Sequence, residues 1–230
     1  MASEIIYALL GGILPALLWL IFWLREDWRQ PEPNRLILKT FLFGMAAVIF
    51  VLPFQKGVEI FFPAIALSIL LWAVLEEVFK FAAGYYGGIH TIEDNEPLDP
   101  SVYMITAALG FVALENTLFI AGPLLGDNIP QTIVTANLRF IGASLLHVVA
   151  SGIVGASISF SFYRDRATKK RRVMFGLLGA IGFHALFNFL ILSGGTIGTH
   201  LAFASVWIGV VVLLLTFERI KSLQPIEKEL

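Results

Sequence analysis

The chain has 230 residues, of which 57% are hydrophobic and only 14% are charged, and its mean hydropathy is +0.81. The charged fraction is well below the roughly 25% that is usual in soluble domains. The net charge is -1 and there is no cysteine, so disulfides and thiolate chemistry are excluded and no nucleic-acid partner is indicated. This composition predicts an all-α, polytopic transmembrane helical bundle embedded in a lipid bilayer.

Apolar segments long enough to cross a bilayer predict about seven transmembrane helices. Their predicted ranges are 4–24, 36–54, 60–88, 101–125, 132–163, 173–192 and 200–217. The polar stretches between them are short, so we expect a single integral membrane domain over residues 1–230. The first segment lacks the basic start that is typical of a cleavable signal peptide.

The lysines and arginines predict the orientation of the chain, because these residues favour cytoplasmic loops. If the N-terminus lies outside, the inner segments hold most of the 16 basic residues. The C-terminus is then cytoplasmic. The inner basic residues are Arg25, Arg29, Arg35, Lys39, Arg164, Arg166, Lys169, Lys170, Arg171, Arg172, Arg219, Lys221 and Lys228.

Polar groups occur inside four of the apolar segments, where single polar groups are expensive and normally face a cavity or a partner. At 1.5 Å of rise per residue, one polar group of each segment lies about 17 to 24 Å from the inner end. This common depth predicts one buried polar site, built by spans three to six within a core of about residues 70–190. The groups are Glu76, Glu77 and Lys80, then Glu115 and Asn116, then His147, and finally His184 and Asn188.

A purely structural explanation exists for some of these groups. Glu76 and Lys80 are four residues apart and could form an ion pair on one helix face, which would leave Glu77 unpaired. Arg139, near the outer end of its span, is expected either to extend its charge to the membrane surface or to neutralise a carboxylate.

The chemistry expected of such a site is hydrolysis within the membrane. Clustered carboxylates in a low-dielectric site cannot all ionise, so one can hold and exchange a proton. Imidazole and amide N–H groups can stabilise an oxyanion. Because no cysteine is present and no serine lies in a nucleophile motif, activated water is the expected attacking group. Zinc could be held by the Glu and His side chains, but there is no H-E-x-x-H motif, so we expect no cofactor.

Four motifs occur in order along the chain. They are Glu76-Glu77-Val78-Phe79-Lys80, Phe111-Val112-Ala113-Leu114-Glu115-Asn116 preceded by Asp99 and Tyr103, His147 in Leu145-Leu146-His147, and His184-Ala185-Leu186-Phe187-Asn188. This ordered set resembles the PrsW family of intramembrane proteases, which is similar to the CAAX-prenyl endopeptidases. The matching family patterns are E-E-x-x-K, D-x-x-x-Y with F-x-x-x-E-N, a single His, and H-x-x-x-N.

The resemblance implies cleavage of membrane-anchored proteins in a bacterial or archaeal cell membrane, as one family member initiates cleavage of an anti-sigma factor. It implies catalytic roles for six residues and supporting, binding roles for Lys80 and Asn116. The implied roles are water activation for Glu76, assistance for Glu77, an oxyanion pocket for His184 and Asn188, positioning for His147 and Glu115, and charge balance for Lys80.

Two other functions are compatible with the polar cluster. Intramembrane Glu and His side chains also form proton relays, so a proton- or ion-coupled transporter is one alternative. The absence of an inverted repeat of the polar motifs weighs against it. A non-catalytic membrane scaffold is the second alternative, and it predicts that mutations of the cluster reduce stability rather than activity.

Overall fold

The computed structural model describes residues 2–28 and 30–223, and this part of the chain is helical with no β-strand. The helical membrane bundle predicted from composition is therefore confirmed. The helices are α1 (Ala2–Leu24), α2 (Asn34–Phe61), α3 (Ile65–Gly84), α4 (Asp99–Leu125), α5 (Ile129–Leu138), α6 (Ser144–Ser159), α7 (Arg166–Ser193) and α8 (Gly195–Lys221).

Six helical segments of the described chain are long and apolar enough to cross a membrane. They are α1, α2, α4, the combined segment of α5 and α6, α7 and α8. The remaining predicted span, 60–88, corresponds to α3, which carries Glu76, Glu77 and Lys80 within 20 residues. These three side chains are at most 5% exposed, so the protein interior, rather than lipid, surrounds the charges of α3.

The boundary between the second and third spans differs from the prediction. The polar residues 55–59 were expected to form a link, but α2 continues through them to Phe61. The break falls at 62–64, because Pro63 has no backbone N–H to donate and holds Phe62 in a non-helical conformation. Gln55 therefore projects from a helix beside α3 rather than from a loop.

The predicted fifth span, 132–163, is one helical segment of 31 residues, Ile129–Ser159. A single π-helical turn at Arg139–Ala143 joins α5 to α6. The predicted basic loop, 164–172, is mostly helical, because Asp165 caps α7 by accepting hydrogen bonds from the backbone N–H groups of Ala167 and Thr168 at 2.9 and 3.0 Å.

Helix α4 lies at the centre of the bundle and packs against α1, α2, α3 and α6. Glycines allow α2 to approach α4 closely. A Cβ atom on Gly44 would lie 2.0 Å from the Ala107 carbonyl oxygen, and one on Gly110 would lie 1.9 Å from the Phe41 carbonyl oxygen. This backbone-to-backbone packing fixes the position of α4, which carries Glu115 and Asn116.

Segments that were predicted to lie on the cytoplasmic side of the membrane contact one another at one end of the bundle. Arg35 forms an ion pair with Glu93, and Lys39 donates to the Tyr86 carbonyl oxygen at 2.9 Å. Lys221, at the end of α8, bonds Glu26 after α1. These contacts fit the predicted topology, whereas the direction of the chain across the bilayer stays a prediction. Arg29 and Lys228, which contributed to it, lie outside the described residues.

Candidate active site

Helix α3 directs two glutamates and a lysine into the protein interior. The Lys80 ammonium forms a hydrogen-bonded ion pair with Glu77, and both side chains are fully buried. The pairing of Glu76 with Lys80 that four-residue spacing suggested is therefore wrong, and Glu77 is not the unpaired carboxylate. The geometry leaves Glu76 as the carboxylate that faces the centre of the site.

The two carboxylate oxygens of Glu76 have different surroundings. Its Oε1 accepts a hydrogen bond of 2.8 Å from Nε2 of Gln55. Its Oε2 is buried and has no hydrogen-bond partner. That oxygen lies 3.7 Å from Nε2 of His184 and 4.0 Å from Nδ1 of His147. A buried oxygen without a partner is costly unless a further group binds there, so Oε2 is the oxygen of Glu76 that could bind a ligand.

The tautomer of His184 follows from its second nitrogen. Nδ1 of His184 lies 2.7 Å from Oε1 of Glu77. The carboxylate is an acceptor, so Nδ1 carries the hydrogen, and in the neutral form of the ring Nε2 presents a lone pair towards Glu76. A carboxylate behind an imidazole in this way fixes the tautomer and the orientation of the ring.

His147 is held by charges on both sides. Its Nδ1 lies 2.8 Å from the Lys80 ammonium, which can only donate, so Nδ1 is the acceptor. Its Nε2 then carries the hydrogen and faces Oε2 of Glu115 at 3.3 Å. The rings of His147 and His184 meet edge to face, with centroids 5.0 Å apart. His147 thus couples the α3 charges to Glu115.

Arg139, in the π-helical turn, closes the far side of the site. Its guanidinium forms a hydrogen-bonded ion pair with Glu115, and its Nε donates to Oδ1 of Asn116 at 2.6 Å. It also lies over the ring of Phe119, 3.9 Å from the centroid. Of the two roles expected for Arg139, the structure shows charge neutralisation, not extension to the membrane surface. Asn116 also donates to the Ser144 hydroxyl at 3.3 Å.

A cavity of about 710 Å³ opens onto the polar groups. Its wall is mainly apolar, as in many sites that hold a ligand in a fixed orientation by a few polar groups. Five predicted site residues line it: Glu76, Glu115, His147, His184 and Asn188. The remaining three, Glu77, Lys80 and Asn116, lie behind this wall and bond the residues that line it.

Gln55 is the site residue that sequence reasoning missed. Its amide holds Glu76, and its backbone carbonyl accepts a hydrogen bond of 3.3 Å from the Trp72 indole. A polar residue in an apolar segment was a usable signal, but the run of polar residues around it indicated a loop. Arg139 was singled out, whereas its bond to Asn116 could not be read from spacing.

The site also has the donor set of a metal centre. Glu76, His147 and His184 are buried, and one ligand atom from each lies within 4.8 Å of the others. Oε2 of Glu76 and Nε2 of His184 face each other without a hydrogen bond between them. His147 could add a nitrogen by giving up its bond to Lys80 or its contact with Glu115. Two imidazoles and a carboxylate are a common set for catalytic zinc, so these residues fit such an ion.

Together, the fold and the site define a polytopic helical membrane protein with a buried carboxylate–imidazole centre. A family model described as "PrsW family intramembrane metalloprotease" matches residues 32–216. The chain therefore belongs to the PrsW family of intramembrane proteases. Membership makes it an intramembrane protease that crosses the membrane several times, and the transporter and scaffold alternatives are not favoured.

Three relatives illustrate the similarity, each named "Protease PrsW". The protein from Geobacillus kaustophilus is 29% identical over 191 residues, which cover 80% of this chain and 79% of the relative. The protein from Halalkalibacterium halodurans is 25% identical over 190 residues, covering 80% and 83%. The protein from Shouchella clausii is 26% identical over 218 residues, covering 92% and 94%. No solved structure matches the chain.

Proposed function

We propose that Glu76 activates the water that attacks the scissile peptide bond. The observation that carries this proposal is the contrast between its two oxygens: Oε1 is fixed by Gln55, whereas Oε2 is buried, has no hydrogen-bond partner among the described residues and faces Nε2 of His184. A carboxylate held in this way can take a proton from water at Oε2 as the water attacks. Its rotation is restricted, so the orientation of the base is set before substrate binds.

His184 and Asn188 are proposed to stabilise the oxyanion by donating hydrogen bonds to it, but they become donors at different stages of the reaction. In the neutral form of His184, Nε2 has no hydrogen to donate, because Nδ1 donates to Glu77. His184 becomes a donor only after it receives a proton, for example the proton that Glu76 removes from water. Asn188 lies one turn later on α7 and lines the same cavity, and its amide is a donor at all times.

The buried charges around this centre hold it in place. Lys80 balances Glu77, and Arg139 balances Glu115. Glu77 orients His184, while Lys80 and Glu115 bind opposite sides of His147. Glu76, in contrast, is not paired with Lys80 or Arg139. This suits a group that takes and returns a proton.

The family description implies a metal, and Glu76, His147 and His184 are the residues that would hold it. Bound Zn²⁺ supplies Lewis acidity, which lowers the pKa of water and stabilises oxyanion charge. In that case Glu77, bonded to Nδ1 of His184, keeps Nε2 free as a ligand. Glu76 would then be a metal ligand rather than only a base. Glu115 is the second carboxylate on the cavity wall.

We propose a membrane-anchored protein as substrate, for example one that resembles an anti-sigma factor, in a bacterial cell membrane. The relatives are bacterial. The cavity is apolar apart from its polar centre, so it can accept the side chains of a membrane-spanning segment while the peptide bond meets Glu76.

The test is cleavage of tagged single-span membrane proteins by the reconstituted protein. We expect the wild type to cleave and Glu76→Gln to lose activity by roughly 10²–10⁴-fold, at a similar unfolding temperature. Full activity of Glu76→Gln would refute Glu76 as the base. Phenanthroline, which chelates zinc, is added in a second arm, together with elemental analysis. Inhibition that zinc reverses, and loss of zinc in His184→Ala, would support the metal. Cleavage by a zinc-free protein that the chelator does not inhibit would indicate that Glu76 activates water without a metal ion.

A further inference from the structure

A second acidic cluster lies at the end of the bundle where α1 ends and α4 begins. It consists of Asp27, Glu96 and Asp99, and one carboxylate oxygen from each lies within 4.8 Å of the others. Asp99 begins α4, and Glu115 follows 16 residues later, which is about 24 Å along a helix. The cluster is therefore separate from the site around Glu76.

Two of these carboxylates are buried with unsatisfied oxygens. Asp27 is 3% exposed and Asp99 is not exposed at all. Among the described residues, Oδ2 of Asp27 and Oδ1 of Asp99 have no hydrogen-bond partner. The other oxygen of Asp99 accepts from the backbone N–H groups of Asn95 and Glu96, at 2.7 and 2.8 Å. Buried carboxylate oxygens without donors are expensive unless the carboxyl holds a proton or a cation binds it.

Among the described residues at this end, the basic side chains of Lys221 and Arg35 bond other carboxylates. Lys221 bonds Glu26 and Glu218 at 2.8 and 2.7 Å, and Arg35 pairs with Glu93. Glu32, a further buried carboxylate close to Asp99, accepts a hydrogen bond from the Tyr103 hydroxyl.

A cavity of about 370 Å³ reaches two of the three carboxylates. Asp27 and Glu96 line it together with Lys221, whereas Asp99 is fully buried and does not line it. Carboxylate oxygens are the preferred ligands of hard divalent cations, and Ca²⁺ binds them at about 2.3–2.6 Å. Two oxygens that share such an ion therefore lie at most about 4.6–5.2 Å apart, and the three oxygens of this cluster lie within 4.8 Å of one another.

We propose that Asp27, Glu96 and Asp99 form a binding site for a hard divalent cation, Mg²⁺ or Ca²⁺, which ties the end of α1 to the start of α4. The ion would neutralise the two unsatisfied carboxylates and join two segments that are distant in sequence. This site does not depend on the catalytic proposal. The predicted topology places it on the cytoplasmic side of the membrane.

The test uses the full chain in an uncharged detergent, after removal of metals with EDTA. Ca²⁺ and Mg²⁺ are titrated separately by calorimetry, and unfolding temperatures are measured at each concentration. For the wild type we expect one ion bound per chain and an unfolding temperature that rises with ion concentration. Comparison of the two ions shows which of them the site prefers.

Variants identify the ligands. Asp27→Asn should bind the ion at least about tenfold more weakly, and in EDTA it should unfold at the wild-type temperature or above, because one clustered charge is gone. Asp99→Asn keeps an acceptor for the two backbone N–H groups and serves as a second variant. Glu93→Gln, in the same loop but paired with Arg35, should bind like the wild type. Glu76→Gln should also bind normally, which separates this site from the catalytic one.

Three outcomes would overturn the proposal. The first is a wild type whose unfolding temperature does not respond to either ion and which binds none. The second is binding that Glu76→Gln abolishes and Asp27→Asn retains. The third is equal binding by wild type, Asp27→Asn and Asp99→Asn. If both Asn variants failed to fold, the wild-type titration together with Glu76→Gln would still decide.

Discussion

The buried ion pair of Lys80 and Glu77 gives the sharpest prediction about stability. Both side chains are fully buried, and Lys80 also contacts His147 at 2.8 Å and lies 5.4 Å from the ring centroid of Phe111. Lys80→Met keeps most of the length of the side chain but leaves Glu77 charged and buried without the ammonium group. Breaking a buried pair from one side costs about 3–5 kcal/mol. His184 still donates to Glu77, so we expect a loss near the lower limit.

Lys80→Met is the first variant of a double-mutant cycle. The second variant is Glu77→Gln, and the third combines both changes. Replacing both members of a buried pair often costs much less than removing one. We therefore expect Lys80→Met/Glu77→Gln to be more stable than the sum of the single losses predicts, by about 1–3 kcal/mol. The assay is thermal unfolding in detergent, in which Lys80→Met should lower the midpoint by about 6–20 °C.

Two results would refute this reasoning. One is a Lys80→Met protein that unfolds within about 2 °C of the wild type, a shift that corresponds to less than 1 kcal/mol. The other is a double variant whose loss equals the sum of the two single losses. In either case, the charge of Lys80 would not stabilise Glu77, and the proposed charge balance around His147 would lose its basis.

Three further changes test other parts of the fold and site, all by thermal unfolding in detergent. Gly44→Ala should cost about 1–3 kcal/mol, because its Cβ would lie 2.0 Å from a backbone carbonyl oxygen on α4. Arg139→Gln should cost about 1.5–3 kcal/mol, because Glu115 loses a charge-assisted hydrogen bond. Asp165→Ala should lower the unfolding midpoint by removing the cap of α7. The Thr168 hydroxyl and backbone N–H lower the pKa of Asp165, so the effect of the cap should be full at neutral pH and fade as the pH falls through that lowered value.

Controls separate these effects from general damage. Gly57→Ala adds a methyl group where no atom lies within 4 Å, so it should stabilise α2 by about 0.5–1 kcal/mol. A Gly44→Ala protein as stable as Gly57→Ala would contradict the close packing of α2 and α4. Arg139→Lys should restore only part of the loss, because an ammonium cannot reproduce the fork that binds Glu115 and Asn116. Asp165→Asn should keep most of the cap at every pH.

Much of the site could be predicted because the depth of a residue in the membrane follows from its position along a helix. Helical rise alone placed Glu76, Glu115, His147 and His184 at one level, and the structure brings these four side chains around one cavity. Lipid tolerates so few polar groups that each one in a span is informative. Which glutamate pairs with Lys80 was beyond this reasoning, because the three- and four-residue spacings are equally close on a helix.

Other features depend on contacts that no local pattern contains. Gln55 was assigned to a link, since a polar run between apolar segments is typical of a loop, yet Pro63 sets the actual end of α2. Arg139 reaches Glu115 from a π-helical turn that its sequence did not indicate. The cluster of Asp27 and Asp99 joins segments about 70 residues apart, and neither residue has a periodic signal.

The most direct measurement is the rate of cleavage of one reconstituted substrate by three proteins: wild type, Glu76→Gln and Glu93→Gln. Glu93 pairs with Arg35 and does not line the cavity, so its variant controls for the loss of a carboxylate. We predict that Glu76→Gln slows cleavage by roughly 10²–10⁴-fold while Glu93→Gln cleaves at the wild-type rate, and that all three unfold at similar temperatures. Cleavage by Glu76→Gln at the wild-type rate would contradict the assignment of Glu76 as the group that activates water.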